Sequence, residues 1–146
     1  MMIARGAAAV GRFSIDFEVA NNDDIVMANR GALPPEQVRR LTISGVVDPG
    51  ATRLVLPEQV VKQLGLPASG KAKVTYADGR TAERDTVKGV YVKILGRDDT
   101  FGASVEPNRT SALIGAIVLE DLDFLVDPAN QRLVPRDPNI ITTEIG

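Results

Sequence analysis

From residue 12 to residue 19 apolar and polar side chains alternate without a break: Phe13, Ile15, Phe17 and Val19 on one side, Arg12, Ser14, Asp16 and Glu18 on the other. A period of two predicts a half-buried strand. Asn21, Asn22, Asp23 and Asp24 end it, and a short helical turn is expected next, with Asp23 or Asp24 as its cap and Gly31 as its stop. Pro34 and Pro35 mark a loop. The alternation returns at Leu41, Ile43, Gly45 and Val47, so residues 38–47 read as a second strand, which runs into Asp48-Pro49-Gly50-Ala51-Thr52. Residues 53–56 are a short apolar strand. Pro57 suits the first position of a helix and Gly65 its stop, with Val60, Val61 and Leu64 as the buried face.

In the second half, residues 71–76 read as a strand and Ala77-Asp78-Gly79-Arg80 as a hairpin turn. The return strand covers residues 81–88, and residues 90–95 make another. Residues 96–99 turn the chain into a strand over 100–105, and residues 106–110 form a loop. A short buried strand over 111–114 ends at Gly115, and residues 116–121 hold one or two helical turns. Residues 124–126 and 132–134 flank the turn Asp127-Pro128-Ala129-Asn130. Many short strands, frequent turns and one or two short helices predict an all-β fold, a barrel or a sandwich. There are no internal repeats and no linker. Residues 11–146 read as one domain, and residues 1–10 as a leader expected to be disordered.

Composition narrows the chemistry. The 146 residues, 44% apolar and 25% charged, suffice for one domain with its own core. Net charge is −2 and no basic run occurs, so no nucleic-acid partner is expected. No stretch approaches the roughly 20 apolar residues of a membrane span, and a cytoplasmic protein is expected. The chain has no cysteine and no histidine. Disulfides, thiol nucleophiles, Ser-His-Asp catalysis and nearly all zinc or haem sites are therefore excluded. Carboxylates, lysine, hydroxyls and water remain, as does a carboxylate-bound divalent metal. The clusters Glu120, Asp121, Asp123 and Asp98, Asp99 lack EF-hand spacing and read as solvated turns or caps, so no metal or other cofactor is expected. Glu83, Arg84 and Asp85 read as an exposed edge that discourages aggregation.

Four features stand in a fixed order: the strand end Val46-Val47-Asp48-Pro49-Gly50-Ala51-Thr52; Leu54-Val55-Leu56-Pro57 with a helix ending Leu64-Gly65-Leu66; the hairpin tip Tyr76-Ala77-Asp78-Gly79-Arg80; and Ala112-Leu113-Ile114-Gly115 before a short helix. This order resembles the retropepsin-like (retroviral-type) aspartic proteases, and their small bacterial members most, over residues 11–135. Asp48, Gly50 and Ala51 match that family's Asp-Thr/Ser-Gly-Ala loop, Tyr76 to Arg80 its flap, and Leu113-Ile114-Gly115 its hydrophobic-hydrophobic-Gly motif.

The resemblance implies a closed barrel with a flap hairpin, and a homodimer in which Asp48 of each copy forms a catalytic pair. Two carboxylates about 3 Å apart share a proton, so one activates water while the other donates to the substrate carbonyl. A chain with one such loop needs a twofold-related copy to complete the pair. Gly50, Ala51, Tyr76, Ala77, Asp78 and Gly79 would then meet an extended peptide or protein substrate. Pro49, Thr52, Ile114 and Gly115 would support the loop. Read alone, Asp48-Pro49-Gly50 is also an ordinary turn, Ala77-Asp78-Gly79 a plain hairpin tip, and Tyr76 ordinary strand packing. Pro49 stands where the family has Thr or Ser, which removes a hydroxyl and a backbone N–H. The alternative is therefore a non-catalytic peptide-binding or dimerisation module of the same fold.

Overall fold

The structure, a computed structural model, describes residues 12–146, so the leader expected over residues 1–10 lies outside the described residues. β1 (Phe13–Asn21) keeps the alternation of the sequence, with Phe13, Phe17 and Val19 buried and Ser14 and Asp16 exposed. α1 (Asn22–Asn29) follows. Its cap is Asn21 rather than Asp23 or Asp24: the Asn21 side-chain oxygen accepts the Asp24 N–H at 3.1 Å. The Asn21 amide group also donates to the Leu64 carbonyl at 2.9 Å, which ties the start of α1 to the end of α2 (Glu58–Leu64). Asp24 is buried and grips the Arg39 guanidinium at 2.8 and 3.0 Å, and that contact holds its carboxyl below the usual range.

β2 (Arg40–Val47) and β3 (Leu54–Pro57) follow the expected pattern, with Pro57 as the N-cap of α2 and Gly65, at φ 66°, ending that helix. β4 (Gly70–Thr75) pairs with β5 (Thr81–Ile94), a single strand of 14 residues. The break expected near Lys88 is a β-bulge: the register shifts between Val87 and Val90, and Gly89 supplies the positive φ of 72°. β6 (Arg97–Glu106) starts earlier than expected, because the turn before it is only Leu95-Gly96, both at positive φ. β7 (Ala112–Ile114), α3 (Ala116–Asp121) and the hairpin of β8 (Phe124–Asp127) and β9 (Arg132–Pro135) complete the elements, and the three short α-helices stand where helical turns were expected.

Strands β1, β2, β7, β3, β6 and β5 lie side by side in that order, and β1 pairs back onto β5 from Glu18↔Lys93 to Asn21↔Val90. The result is the expected all-β, closed barrel, of six strands, with β4 attached outside through β5. Leu54, Leu56, Val87, Val92, Ile114 and Leu119 are among the side chains that fill its core. β2 and β7 run parallel, Gly45↔Ala112 to Val47↔Ile114, and end together. Gly45 takes an apolar position in the alternation because no Cβ fits there: it would lie 2.6 Å from the Phe17 ring. Among the described residues no helix is long and apolar enough to cross a membrane.

Replacing Asn21 by Ala removes the α1 cap and leaves the Leu64 carbonyl unpaired in a buried place. Urea unfolding should show a loss of about 2–3 kcal/mol, and Asn21→Ser, which retains the cap oxygen alone, should lose less.

Candidate functional site

Asp48 leaves the end of β2 where β7 also ends, and its N–H donates to the Ile114 carbonyl at 3.0 Å. The chain then reverses: the Ala51 N–H donates to the Asp48 carbonyl at 3.0 Å, with Pro49 and Gly50 at the corner. The Gly50 N–H turns inward and donates to Asp48 Oδ1 at 3.0 Å. α3 closes the loop from behind. Its first N–H groups lack helical partners, and no side chain caps it. The loop supplies the acceptors instead: the Ala116 N–H donates to the Ala51 carbonyl at 2.8 Å and the Ile117 N–H to the Thr52 carbonyl at 3.0 Å. This contact requires Gly115, because a Cβ there would run into the Arg53 carbonyl and lie 2.8 Å from the Ala51 oxygen.

Asp48 is 4% exposed. Its Oδ2 is 2.9 Å from Nη2 of Arg12, whose side chain is 44% exposed. Arg12 is placed there by register: Phe13 pairs with Val47, so the next residue outward on β1 faces Asp48. Sequence reasoning passed over Arg12 as one more polar strand position. The signal that finds it is the antiparallel register, which single-strand periodicity does not carry.

The structure thus brings together Asp48, Pro49, Gly50, Ala51, Thr52, Ile114 and Gly115. Pro49 is buried, Gly50 exposed and Ala51 half-buried. Thr52 contributes its backbone carbonyl, while its side chain is exposed. The hairpin residues form a second group. Ala77, Asp78 and Gly79 are exposed at the tip, where Asp78 accepts from the backbone N–H of Arg80 at 3.0 Å and from its Nε at 2.7 Å. These bonds, the backbone one foremost, hold the Asp78 carboxyl below its usual range. Tyr76 sits at the base, and its hydroxyl donates to the Glu106 carboxylate, with the two oxygens at 2.8 and 2.9 Å. Arg84 Nε reaches the same hydroxyl at 3.1 Å, and the Arg80 guanidinium lies 5.2 Å above the Tyr76 ring. Tyr76 is therefore more than strand packing: it is the link that fastens the hairpin to β6. Arg84 is half-buried, whereas Glu83 and Asp85 face out, so the sign alternation read as an exposed edge hid an inward arginine.

In the acidic clusters Asp98, Asp99, Glu120 and Asp121 are exposed, as solvated turns or caps would be, and Asp123 alone is not. Asp123 is buried, paired with Arg136 at 2.9 Å, and accepts the Thr142 N–H at 2.9 Å beside a cavity of about 650 Å³ next to α3. Asp121, exposed at the end of α3, has its carboxyl raised to about 6 by the neighbouring Asp99 carboxylate of β6, through proton sharing first and charge after it. Its partner Asp99 is lowered by the same sharing. Among the described residues no three carboxylates gather to hold a metal ion.

The sequence profile described as aspartyl protease matches residues 37–134, more than half of the chain. No curated protein matches the chain in sequence. Among solved structures, the EIAV protease complexed with the inhibitor HBY-793 is 21% identical, with 56% of this chain and 77% of that one covered and a TM-score of 0.45. The foamy viral protease-reverse transcriptase in complex with an RNA/DNA hybrid is 20% identical over 53% of this chain, with a TM-score of 0.45, and the match spans 10% of that longer protein.

Gly115→Ala should cost about 2–4 kcal/mol in urea unfolding, because backbone rather than a flexible side chain must move. Gly50→Ala should cost less, since the only close neighbour of its Cβ is Asp48 Oδ1 at 3.2 Å. The carboxyl pair sets a pH dependence with a definite sign. The folded chain holds a proton on Asp121 up to about pH 6, whereas the unfolded chain releases it near the ordinary 3.8. The Asp121 contribution is complete below about pH 3.8 and falls as pH rises between those values, whereas that of Asp99, whose carboxyl is lowered, is lost only at still lower pH. The Tm of the native chain should drop across that window relative to Asp121→Asn, measured by circular dichroism.

Proposed function

The chain belongs to the aspartyl protease family, and from that membership we propose that it is an aspartic endopeptidase acting as a homodimer, with Asp48 of each copy supplying half of the catalytic pair. The observation that carries the reading is the setting of Asp48: a 4% exposed carboxylate in a closed turn, aimed by the Gly50 N–H and backed by α3. A buried carboxylate fixed by a backbone donor is suited to share a proton with a second one. One carboxylate takes a proton from water as the water oxygen attacks the peptide carbonyl carbon. The other, protonated, donates to the carbonyl oxygen. Collapse of the resulting diol breaks the C–N bond, and the departing amine takes up a proton from the pair, whose titration belongs to both residues. Gly50 and Ala51 would lie under an extended peptide, and Ala77, Asp78 and Gly79 would close over it. Tyr76, with its hydroxyl engaged by Glu106, would act at the hairpin base rather than on the substrate. No cofactor is required.

A second reading keeps the fold and drops the chemistry: a peptide-binding or dimerisation module. Two observations favour it. Pro49 offers neither hydroxyl nor N–H at the centre of the loop, and Arg12 occupies the second oxygen of Asp48.

A mixed peptide library across pH ~3–7, where a coupled pair is half-protonated, separates the two. Native protein should cleave, and Asp48→Asn should lose about 10²–10⁴-fold of that activity while remaining folded. Cleavage by Pro49→Thr alone would favour the binding module. Silence from native, Asp48→Asn and Pro49→Thr would overturn the catalytic reading.

A further inference from the structure

We propose that Arg12 caps Asp48 in the lone chain and is displaced when a second copy binds, so that assembly and exposure of the carboxylate are one event. The inference rests on the dimeric reading above. In the single chain both oxygens of Asp48 are taken, Oδ1 by the Gly50 N–H at 3.0 Å and Oδ2 by Arg12 Nη2 at 2.9 Å. A second carboxylate that shares a proton with the first must come within about 3 Å of it. Arg12, at 2.9 Å from Oδ2, would stand in the way of that approach. The exposures of the two partners are unequal: the Asp48 side chain is 6% exposed and the Arg12 side chain 44%. Arg12 therefore leaves for water cheaply, whereas Asp48 without Arg12 is a buried charge lacking its ion-pair partner. A residue that touches Asp48 also lies at the twofold axis, so two Arg12 side chains meet there and repel unless both turn outward. The β1–β2 register fixes the backbone of Arg12 while its long side chain stays free to swing.

Sedimentation velocity over a protein concentration series at pH 5 tests this on native chain, Arg12→Gln and Arg12→Lys, with thermal unfolding of each at the lowest concentration. Arg12→Gln should dimerise at roughly tenfold lower concentration, yet melt lower than native as a monomer. Arg12→Lys keeps the charge and should stay near native in both, and it serves as the test if Arg12→Gln does not fold: Arg12→Lys should then dimerise no more weakly than native. A merely structural arginine would weaken both properties together, so weaker or unchanged dimerisation of Arg12→Gln overturns the cap. Native and variant chains that stay monomeric at every concentration overturn it too, since the cap then competes with nothing. Tighter dimerisation without peptide cleavage leaves the cap standing and sinks the protease reading alone.

Discussion

The structure of the site depends on one close approach: the start of α3 against the turn that leaves β2. Gly115 sits where only a hydrogen fits, between the backbone of Ala51 and that of Arg53. Because the two segments touch, the unpaired N–H groups of α3 find acceptors in the Asp48 loop, and the loop carbonyls find donors in α3. Each segment completes the hydrogen bonding of the other, and neither needs a side chain to do so. The parallel pairing of β2 with β7 brings both strand ends to this point, and Gly45, packed against Phe17 and Ile114, lets the barrel wall close behind it. The position of Asp48 is thus a property of backbone packing between β2 with its loop and the β7–α3 segment, two stretches that lie far apart in sequence.

Electrostatics complete what packing begins. A carboxylate this deep is costly unless its oxygens are matched. The Gly50 N–H and the Arg12 guanidinium match them within one chain. At the hairpin the same logic serves a different end. Tyr76, Glu106 and Arg84 bond one another at its base, while Ala77, Asp78 and Gly79 are exposed at the tip. The hairpin is held where it leaves the barrel and is open where it would meet a ligand.

Much of this was legible along the chain. The alternation from Phe13 to Val19 and from Leu41 to Val47 gave the strands, because a strand with one buried face must repeat every two residues. The order of Asp48, the hairpin tip and Ile114-Gly115 pointed to the family and to the loop. What stayed hidden depends on register and on contacts between distant segments. Arg12 matters only because Phe13 lies opposite Val47, and 34 residues separate the two in the chain. Tyr76 looked like strand packing because Glu106, its partner, comes from another strand. Gly89 looked like a strand break, since a bulge and a break share the same local signal until pairing on both sides is known. The cap expected at Asp23 or Asp24 falls on Asn21, and Asp24 is instead drawn inward by Arg39, which is set by tertiary packing.

Pro49 and Arg12 act in the same direction. Proline at the second position of a turn pre-sets the φ the turn needs and lowers the entropy of the unfolded chain, so it stabilises the Asp48 loop as it stands in a single copy. It also leaves no N–H and no hydroxyl at the loop centre to bind across a twofold axis. Arg12 likewise satisfies Asp48 from within the chain. Both features make the loop self-sufficient, where a Thr or Ser at this position and a bare carboxylate would leave it dependent on a partner. A homodimeric enzyme built on this loop must therefore draw its association from surfaces other than the loop itself, and overcome the internal pairing of Asp48 before the two carboxylates meet. A binding module needs neither step. Between the two proposed functions, what would decide is how strongly the rest of the surface drives association, against the opposition of Pro49 and Arg12.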